Sequence, residues 1–410
     1  MKPNTYSLEE HKISPKSIDP KVLYILEKLQ VSGFIAYLVG GGVRDLLLNK
    51  KPKDFDIATS AKPEEIKALF SNSILIGKRF RLAHIRFGKK IIEVSTFRSG
   101  NIENEELITE DNMWGTPKED ALRRDFTING LFYDSQDETV IDYVGGYQDI
   151  QKKCLRAIGQ PYLRFKQDPV RMIRCLKFEA RFGLEVEEEA RLALVECKAD
   201  ILKSAKARIL EELLRMLESG SSAAFFKLMT DHGLLQQLLP TIAQFLEERF
   251  GREIYNYLQE ADMIHKEPTP LKLKRPILVA CLLYPLFEKH LKTHFTDCGK
   301  TPHLGQVYDE AHGLIDLAFQ TSLHLPRRLK MSAVSILVSQ YRITPFAKRK
   351  KKAIRVPRSL DFPLALEFFN LRARLEPGLQ EIHKKWSEAY LNRKKFNKKS
   401  KPKQKKYLQS

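Results

Sequence analysis

The stretch that most constrains this chain is residues 38–58, LVGGGVRDLLLNKKPKDFDIA. A short apolar run at 35–39 leads into Gly40, Gly41 and Gly42, then a helix-like VRDLLL, a basic turn and Asp54-Phe55-Asp56. The order reads as strand, glycine loop, short helix, turn, strand. Side chains alternate along a strand, so Asp54 and Asp56 share one face, roughly 7 Å apart, while Phe55 enters the core. Two carboxylates on a rigid strand suit a divalent ion of the Mg²⁺ type. The glycine loop offers bare N–H groups to a phosphate at the helix N-terminus. Either half alone is commonplace, a solvated strand end or a turn. Their joint occurrence around Arg44-Asp45 points to phosphoryl or nucleotidyl transfer with two metal ions. No Gly-Lys-Ser/Thr follows, so this is not a Walker A loop. The acidic pair arrives too early for a dinucleotide fingerprint.

Charge narrows the substrate. The 410 residues carry a net charge of +19, which favours a polyanionic partner. Seven basic residues fall in 348–358 and nine in 393–406, with no acid in either window. Such concentration favours nucleic acid over general solubility. The five cysteines are scattered without a C-x-x-C pair, which fits a reducing, cytoplasmic setting rather than a disulfide framework or a zinc knuckle. The polar N-terminus has no signal-peptide character. No apolar run is long enough to span a membrane.

The chain divides by pattern into a polar extension (1–19), an α/β head (20–150), a helical neck (151–220), a helical body (221–391) and a basic, unstructured tail (392–410). In the head, 20–29 reads as a helix. Ser60 caps another helix through Phe70. Strands at 74–77 and 83–87 flank the basic segment at 78–81. A further strand, KIIEVSTF at 90–97, turns Glu93 toward the aspartates as a third metal carboxylate; the alternative is an exposed strand glutamate. Residues 99–118 read as a loop over the site. In EDALRRDFTIN, at 119–129, Leu122, Phe126 and Ile128 pack. Arg123, Arg124, Asp125 and Asn129 supply two cations, an acceptor and an amide. A hairpin ending at Gly145-Gly146 closes the head. Beyond it the pattern is helical, opening with DPVRMIRCLKFEARF at 168–182, where Asp168 caps and Pro169 takes the first position.

In order, LVGGGVRD (38–45), DFDIAT (54–59), RRDFTIN (123–129), DYVGG (142–146), DPVRMIR (168–174) and RILEEL (208–213) resemble the class II nucleotidyltransferases of the DNA polymerase beta superfamily. That family comprises bacterial poly(A) polymerases and tRNA CCA-adding enzymes. LIGKRFRLAHI at 75–85 resembles the poly(A) polymerase branch. The resemblance implies a polymerase-beta-like mixed-sheet head followed by helical neck and body that bind the nucleotide base and RNA. It implies template-independent addition of AMP from ATP to RNA 3′ ends, serving mRNA polyadenylation and RNA decay. The implied cofactor is a pair of Mg²⁺ ions, with Mn²⁺ as a substitute.

The implied roles map residue by residue. Asp54 and Asp56 form the catalytic metal pair, and Asp125 joins the active site. Arg123 and Arg124 contact phosphates, with Lys78 and Arg79 neutralising charge. Gly41, Gly42 and Arg44 hold the triphosphate. Asp168 and Arg171 read the base edge, supported by an Arg208–Glu212 pair. Gln167 stands where the family usually has Glu, which puts the role of that position in question. RNA-decay proteins are further implied partners; DNA and membranes are not. The alternatives are a CCA-adding enzyme and a catalytically inactive RNA-binding protein.

The basic C-terminus carries the first test. Removing residues 393–410 is expected to weaken RNA binding and to make the dependence of log K on log salt shallower. Filter binding across a salt series measures both, and unchanged low-salt affinity would assign the tail to solvation alone.

Overall fold

Eight short strands pair into one sheet that carries the head. They are β1 (Asn4–Tyr6), β2 (Ala36–Val39), β3 (Asp56–Thr59), β4 (Ser73–Ile76), β5 (Leu82–Phe87), β6 (Lys90–Thr96), β7 (Leu131–Asp134) and β8 (Thr139–Asp142). The computed structural model describes residues 2–77, 82–99, 113–268, 272–319, 323–344 and 354–399, with side chains through 393. Lys78 and Arg79 lie outside the described residues, as do 100–112 of the expected active-site loop, 348–353 of the first basic window and 400–406 of the second.

The sheet order is β1-β8-β7-β2-β3-β6-β5-β4. It is antiparallel except for β3 against β6. Alternation explains its two faces. Leu38, Ile57 and Val94 are fully buried on one side, and the helix Pro20–Val31 packs on β2 and β3 through its buried Val22, Ile25, Leu26 and Leu29. On the other side Val39, Ala58, Phe97, Ala121 and Phe132 form a second cluster. Phe97 and Phe132 meet edge-on at 6.2 Å between ring centres.

Local details differ from the sequence expectation. β3 begins at Asp56, so Asp54 and Phe55 form its lead-in and are not strand residues. Ser60 does not cap the next helix. Its hydroxyl accepts from the Ile35 amide at 2.9 Å, and the helix Pro63–Leu69 is capped at Lys62, whose amide donates to Glu65. Asp168 ends the helix Pro161–Gln167, and the next helix, Val170–Phe182, starts behind Pro169. A proline in the chain disfavours helical conformation in the residue before it, which is why the break falls at Asp168.

The chain separates into two compact units, Met1–Asp200 and Ile201–Ser410. The division falls inside the expected neck, with residues 151–200 in the first unit and 201–220 in the second. The described part of the second unit is helical throughout. Pro240 and Pro326 sit at helix starts as their locked φ favours, whereas Pro285 is accommodated inside the helix Arg275–Leu291. The last described helix, Gln380–Lys399, runs through position 392, where the basic tail was expected to begin. No helix among the described residues is long and apolar enough to cross a membrane.

Candidate active site

One row of residues crosses six strands and sets the chemistry. Ile141, Phe132, Val39, Asp56, Glu93 and His84 are successive register partners from β8 to β5. Register partners project to the same face. The row therefore changes from apolar to ionisable between Val39 and Asp56. Glu93 stands beside Asp56, on the face expected from the sequence. His84 Nε2 reaches Glu93 Oε1 at 3.3 Å.

The glycine loop follows β2 directly and so emerges at the same end of the sheet as Asp56. Gly40 has φ +64° and ψ −124°, a conformation closed to other residues without strain. A Cβ there would lie 2.9 Å from Arg124 Nη1. A Cβ on Gly42 would lie 3.3 Å from Phe55 Cδ1 and 3.8 Å from the Asp54 carbonyl oxygen. The bare backbone thus lets the start of the helix Gly41–Leu47 lie against the Asp54-Phe55 segment. Gly41, Gly42 and Val43 contribute the amides that a helix start leaves without intrahelical partners.

The carboxylates test whether a cation fits. Asp56 still reaches solvent, but its carboxyl is pushed up to about 6 by desolvation, then by Glu93 and, more weakly, Asp54, with Arg124 opposing. Negative charge is in excess there, and a divalent ion would relieve it. The Asp54, Asp56 and Glu93 ligand atoms are not all drawn within 4.8 Å of one another. Carboxylate oxygens are donors of the kind Mg²⁺ takes, with waters and substrate phosphates completing its shell.

The arginines are held by acceptors that the sequence reading passed over. Asp120, 1% exposed, takes Arg123 Nε on Oδ1 at 2.8 Å and Arg124 Nη2 on Oδ2 at 2.7 Å. Burial would raise the Asp120 carboxyl, but Arg124 and Arg123 hold it below its usual range. Arg164, also 1% exposed, donates Nη2 to the carbonyls of Arg123 and Arg124 at 2.8 and 2.6 Å, and Nη1 to Gln167 Oε1 at 3.1 Å. Burial and the neighbouring Arg171 lower its guanidinium to about 10. Gln167 is therefore an acceptor for Arg164, a contact that an amide oxygen meets as a carboxylate would.

Asp125, Arg171 and Arg44 sit deeper than expected. Asp125 Oδ1 accepts from Asn129 Nδ2 at 2.9 Å and from the Phe126 amide at 2.8 Å, and Oδ2 faces Arg174 at 3.6 Å. Burial opposes its ionisation, yet Arg174, Asn129 and Arg171 keep the carboxyl below its usual range. Arg171 is buried and points Nη1 and Nη2 at the Arg164 and Arg123 carbonyls. Arg44 differs most from its expected triphosphate contact. Its Nε and Nη2 donate to Asp45 and its Nη1 to Asn129 at 2.7 Å. Its guanidinium lies over Phe178 and Phe182 at 5.0 and 4.6 Å. Arg208 and Glu212 lie one turn apart on the helix Lys206–Leu217 of the second unit, with Glu212 buried.

A sheet that presents carboxylates beside a glycine turn, faced by clamped arginines, defines a nucleotidyltransferase head. Comparison with known proteins agrees. Residues 36–156 match a family model described as "Poly A polymerase head domain", and 183–246 one described as "Probable RNA and SrmB- binding site of polymerase A". Poly(A) polymerase I of Escherichia coli is 37% identical over 405 residues, covering 93% of this chain and 84% of that protein. The CCA-adding enzyme of Staphylococcus saprophyticus is 39% identical over 193 residues, 47% of this chain and 48% of that protein. The fold matches that of the Bacillus stearothermophilus CCA-adding enzyme in complex with CTP, with TM-score 0.65 at 24% identity over 92% of this chain and 83% of that one. The chain belongs to the poly(A) polymerase I family.

The raised Asp56 carboxyl gives a signed expectation. Were Asp56 to hold an ion, it would do so as the carboxylate, so Mn²⁺ affinity would rise as the pH increases through about 6. Glu93→Gln removes a charge that raises Asp56, so the midpoint moves to lower pH even where plateau affinity falls. Electron paramagnetic resonance titration of Mn²⁺ separates the two effects, and an unmoved midpoint would leave desolvation as the cause.

Proposed function

We propose that this chain adds AMP from ATP to RNA 3′ ends without a nucleic-acid template, in mRNA polyadenylation and RNA decay. The observation that carries this reading is the extent of likeness in sequence: the poly(A) polymerase I matches span 93–94% of the chain and the CCA-adding matches 47–58%. Asp54 and Asp56 hold the metal, with Glu93 as the third carboxylate on the same face. Two Mg²⁺ ions bound there would activate the RNA 3′-hydroxyl and stabilise the pyrophosphate leaving oxygen.

The protein's own groups do the positioning. Gly41 and Gly42 present amides to the triphosphate. Arg44 acts through Asn129 and Asp45 to hold the glycine turn in place and is a positioning residue. Arg123 and Arg124 face the phosphates with their side chains pre-set by Asp120, so little reorganisation accompanies charge development. Asp125 ties this segment to Arg174. Asp168 accepts from the adenine amino group, and Arg171 fixes the Asp168 end of its helix to the Arg123 carbonyl. The segment 183–246 contributes to RNA binding and is the proposed contact for RNA-decay proteins. A cytoplasmic location, where ATP and RNA 3′ ends meet, completes the reading.

Asp54→Ala with Asp56→Ala is expected to lower Mg²⁺-dependent incorporation of labelled ATP into RNA at least about a thousandfold, roughly 4 kcal/mol of barrier. Unstructured RNA with ATP alone is expected to give a long ladder. Persistent incorporation by the double variant would sink the proposed site. A short product needing tRNA and CTP would reassign the chain to CCA addition, and tight RNA binding without pyrophosphate release would make it a binding protein.

A further inference from the structure

The second unit carries a group of ligating side chains that nucleotidyl transfer does not use. Among the described residues, one set of three His, Cys, Asp or Glu ligand atoms lies wholly within 4.8 Å: His290, His294 and Glu310. His290 is in the last turn of the helix Arg275–Leu291, His294 is in the π-helical turn Lys292–Thr296, and Glu310 is on the helix Leu304–Phe319. His294 Nδ1 lies 2.9 Å from Glu310 Oε1, and His290 Nδ1 lies 4.0 Å from Glu310 Oε2. The two imidazole centres are 5.3 Å apart.

We infer that His290, His294 and Glu310 form a three-ligand site for a divalent transition ion of the Zn²⁺ class, with a fourth position open to solvent. Two imidazoles and a carboxylate are the donors such an ion prefers. Tetrahedral ligands at Zn–N and Zn–O bond lengths lie roughly 3.3 Å from one another. The two nitrogen–oxygen separations, one to each oxygen of the Glu310 carboxylate, lie on either side of that value, and rotation of the exposed His294 and of the carboxylate would bring the ligand atoms to it.

Two features support the site. The π turn, closed by the Asp297 amide on the Lys292 carbonyl at 2.9 Å, is a departure from α-helix of the sort that recurs at functional positions. It contains His294 and begins two residues after His290. The adjacent cations are already compensated: Lys289 pairs with Glu248, and Lys292 with Glu288 at 3.4 Å. Glu310 is therefore left to the histidines. An ion there would pin the turn after one helix to the neighbouring helix and so stabilise the folded state by linkage.

Full-length chain stripped with EDTA, dialysed and titrated with Zn²⁺ tests the inference. Wild type is expected to bind one equivalent more than His294→Ala or the His290→Ala, His294→Ala double variant. Co²⁺ substitution is expected to give tetrahedral visible bands in wild type that the variants lack. Zn²⁺ is expected to raise the melting temperature of wild type and not of His294→Ala, whose exposed side chain can be removed without disturbing the core. RNA adenylation by His294→Ala is expected to remain unchanged, which separates this site from Asp54 and Asp56. Equal zinc content in wild type and variants, or identical cobalt spectra, would overturn the inference.

Discussion

The pairing of β3 between β2 and β6 is the constraint on which the rest depends. It places Asp56 beside Val39 on one side and Glu93 on the other. Strand side chains alternate with a period of two, so a one-residue slip would turn Asp56 onto the face occupied by Leu38 and Val94 and bury it under a helix. The apolar half of the row holds the register: Val39 and Phe132 are buried, and Phe132 packs on Phe97. Removing a buried phenylalanine ring costs about 3–5 kcal/mol, more than the repulsion between two carboxylates at a solvent-open edge can offset. Core packing thus holds the acidic residues in an arrangement that they would not adopt alone.

A second layer of restraint lies behind the carboxylates. Asp120 and Arg164 are both almost completely buried, one taking the side chains of Arg123 and Arg124 and the other their carbonyls. The arginine pair is held from both ends. Satisfied polar networks in a low-dielectric interior are stiff, because losing one partner leaves a costly unpaired group. Arg44, Asp45, Asn129 and Asp125 extend the network from the glycine turn to Arg174. The glycine turn and the RRD segment are far apart in sequence but meet where Arg124 overlies Gly40. Gln167 joins the same network through Arg164, so its lack of charge leaves the hydrogen bond intact.

Motif order and residue type made the class of protein legible from the chain alone. Glycines before a helix, an acidic pair after it and an RRD segment farther on are local patterns whose chemistry is carried by the residue types. The strand that sets Glu93 beside Asp56 was legible too, because alternation in KIIEVSTF sets its side. Asp120 and Arg164 were not. Each looks like an ordinary helix charge until its partners appear, and those partners include backbone carbonyls that no sequence pattern marks. Nor were the acceptors of Arg44, Asp45 and Asn129, marked by any pattern in the chain.

The sequence by itself determined the local conformations and the chemical vocabulary. Gly40 can take φ +64° because it has no Cβ. Pro169 ends the helix before it, and the apolar periodicity specifies a sheet head and a helical remainder. Tertiary structure decided which polar groups face solvent and which are consumed in holding others. That choice turns on pairings between residues distant in the chain: Asp56 with Glu93, Arg124 over Gly40, Arg164 on the carbonyls of Arg123 and Arg124. The surroundings then alter each group's charge preference: partial desolvation and Glu93 push the Asp56 carboxyl up, and burial pushes the Arg164 guanidinium down. Desolvation depends on what surrounds a side chain in three dimensions, so it is decided only when the chain has folded.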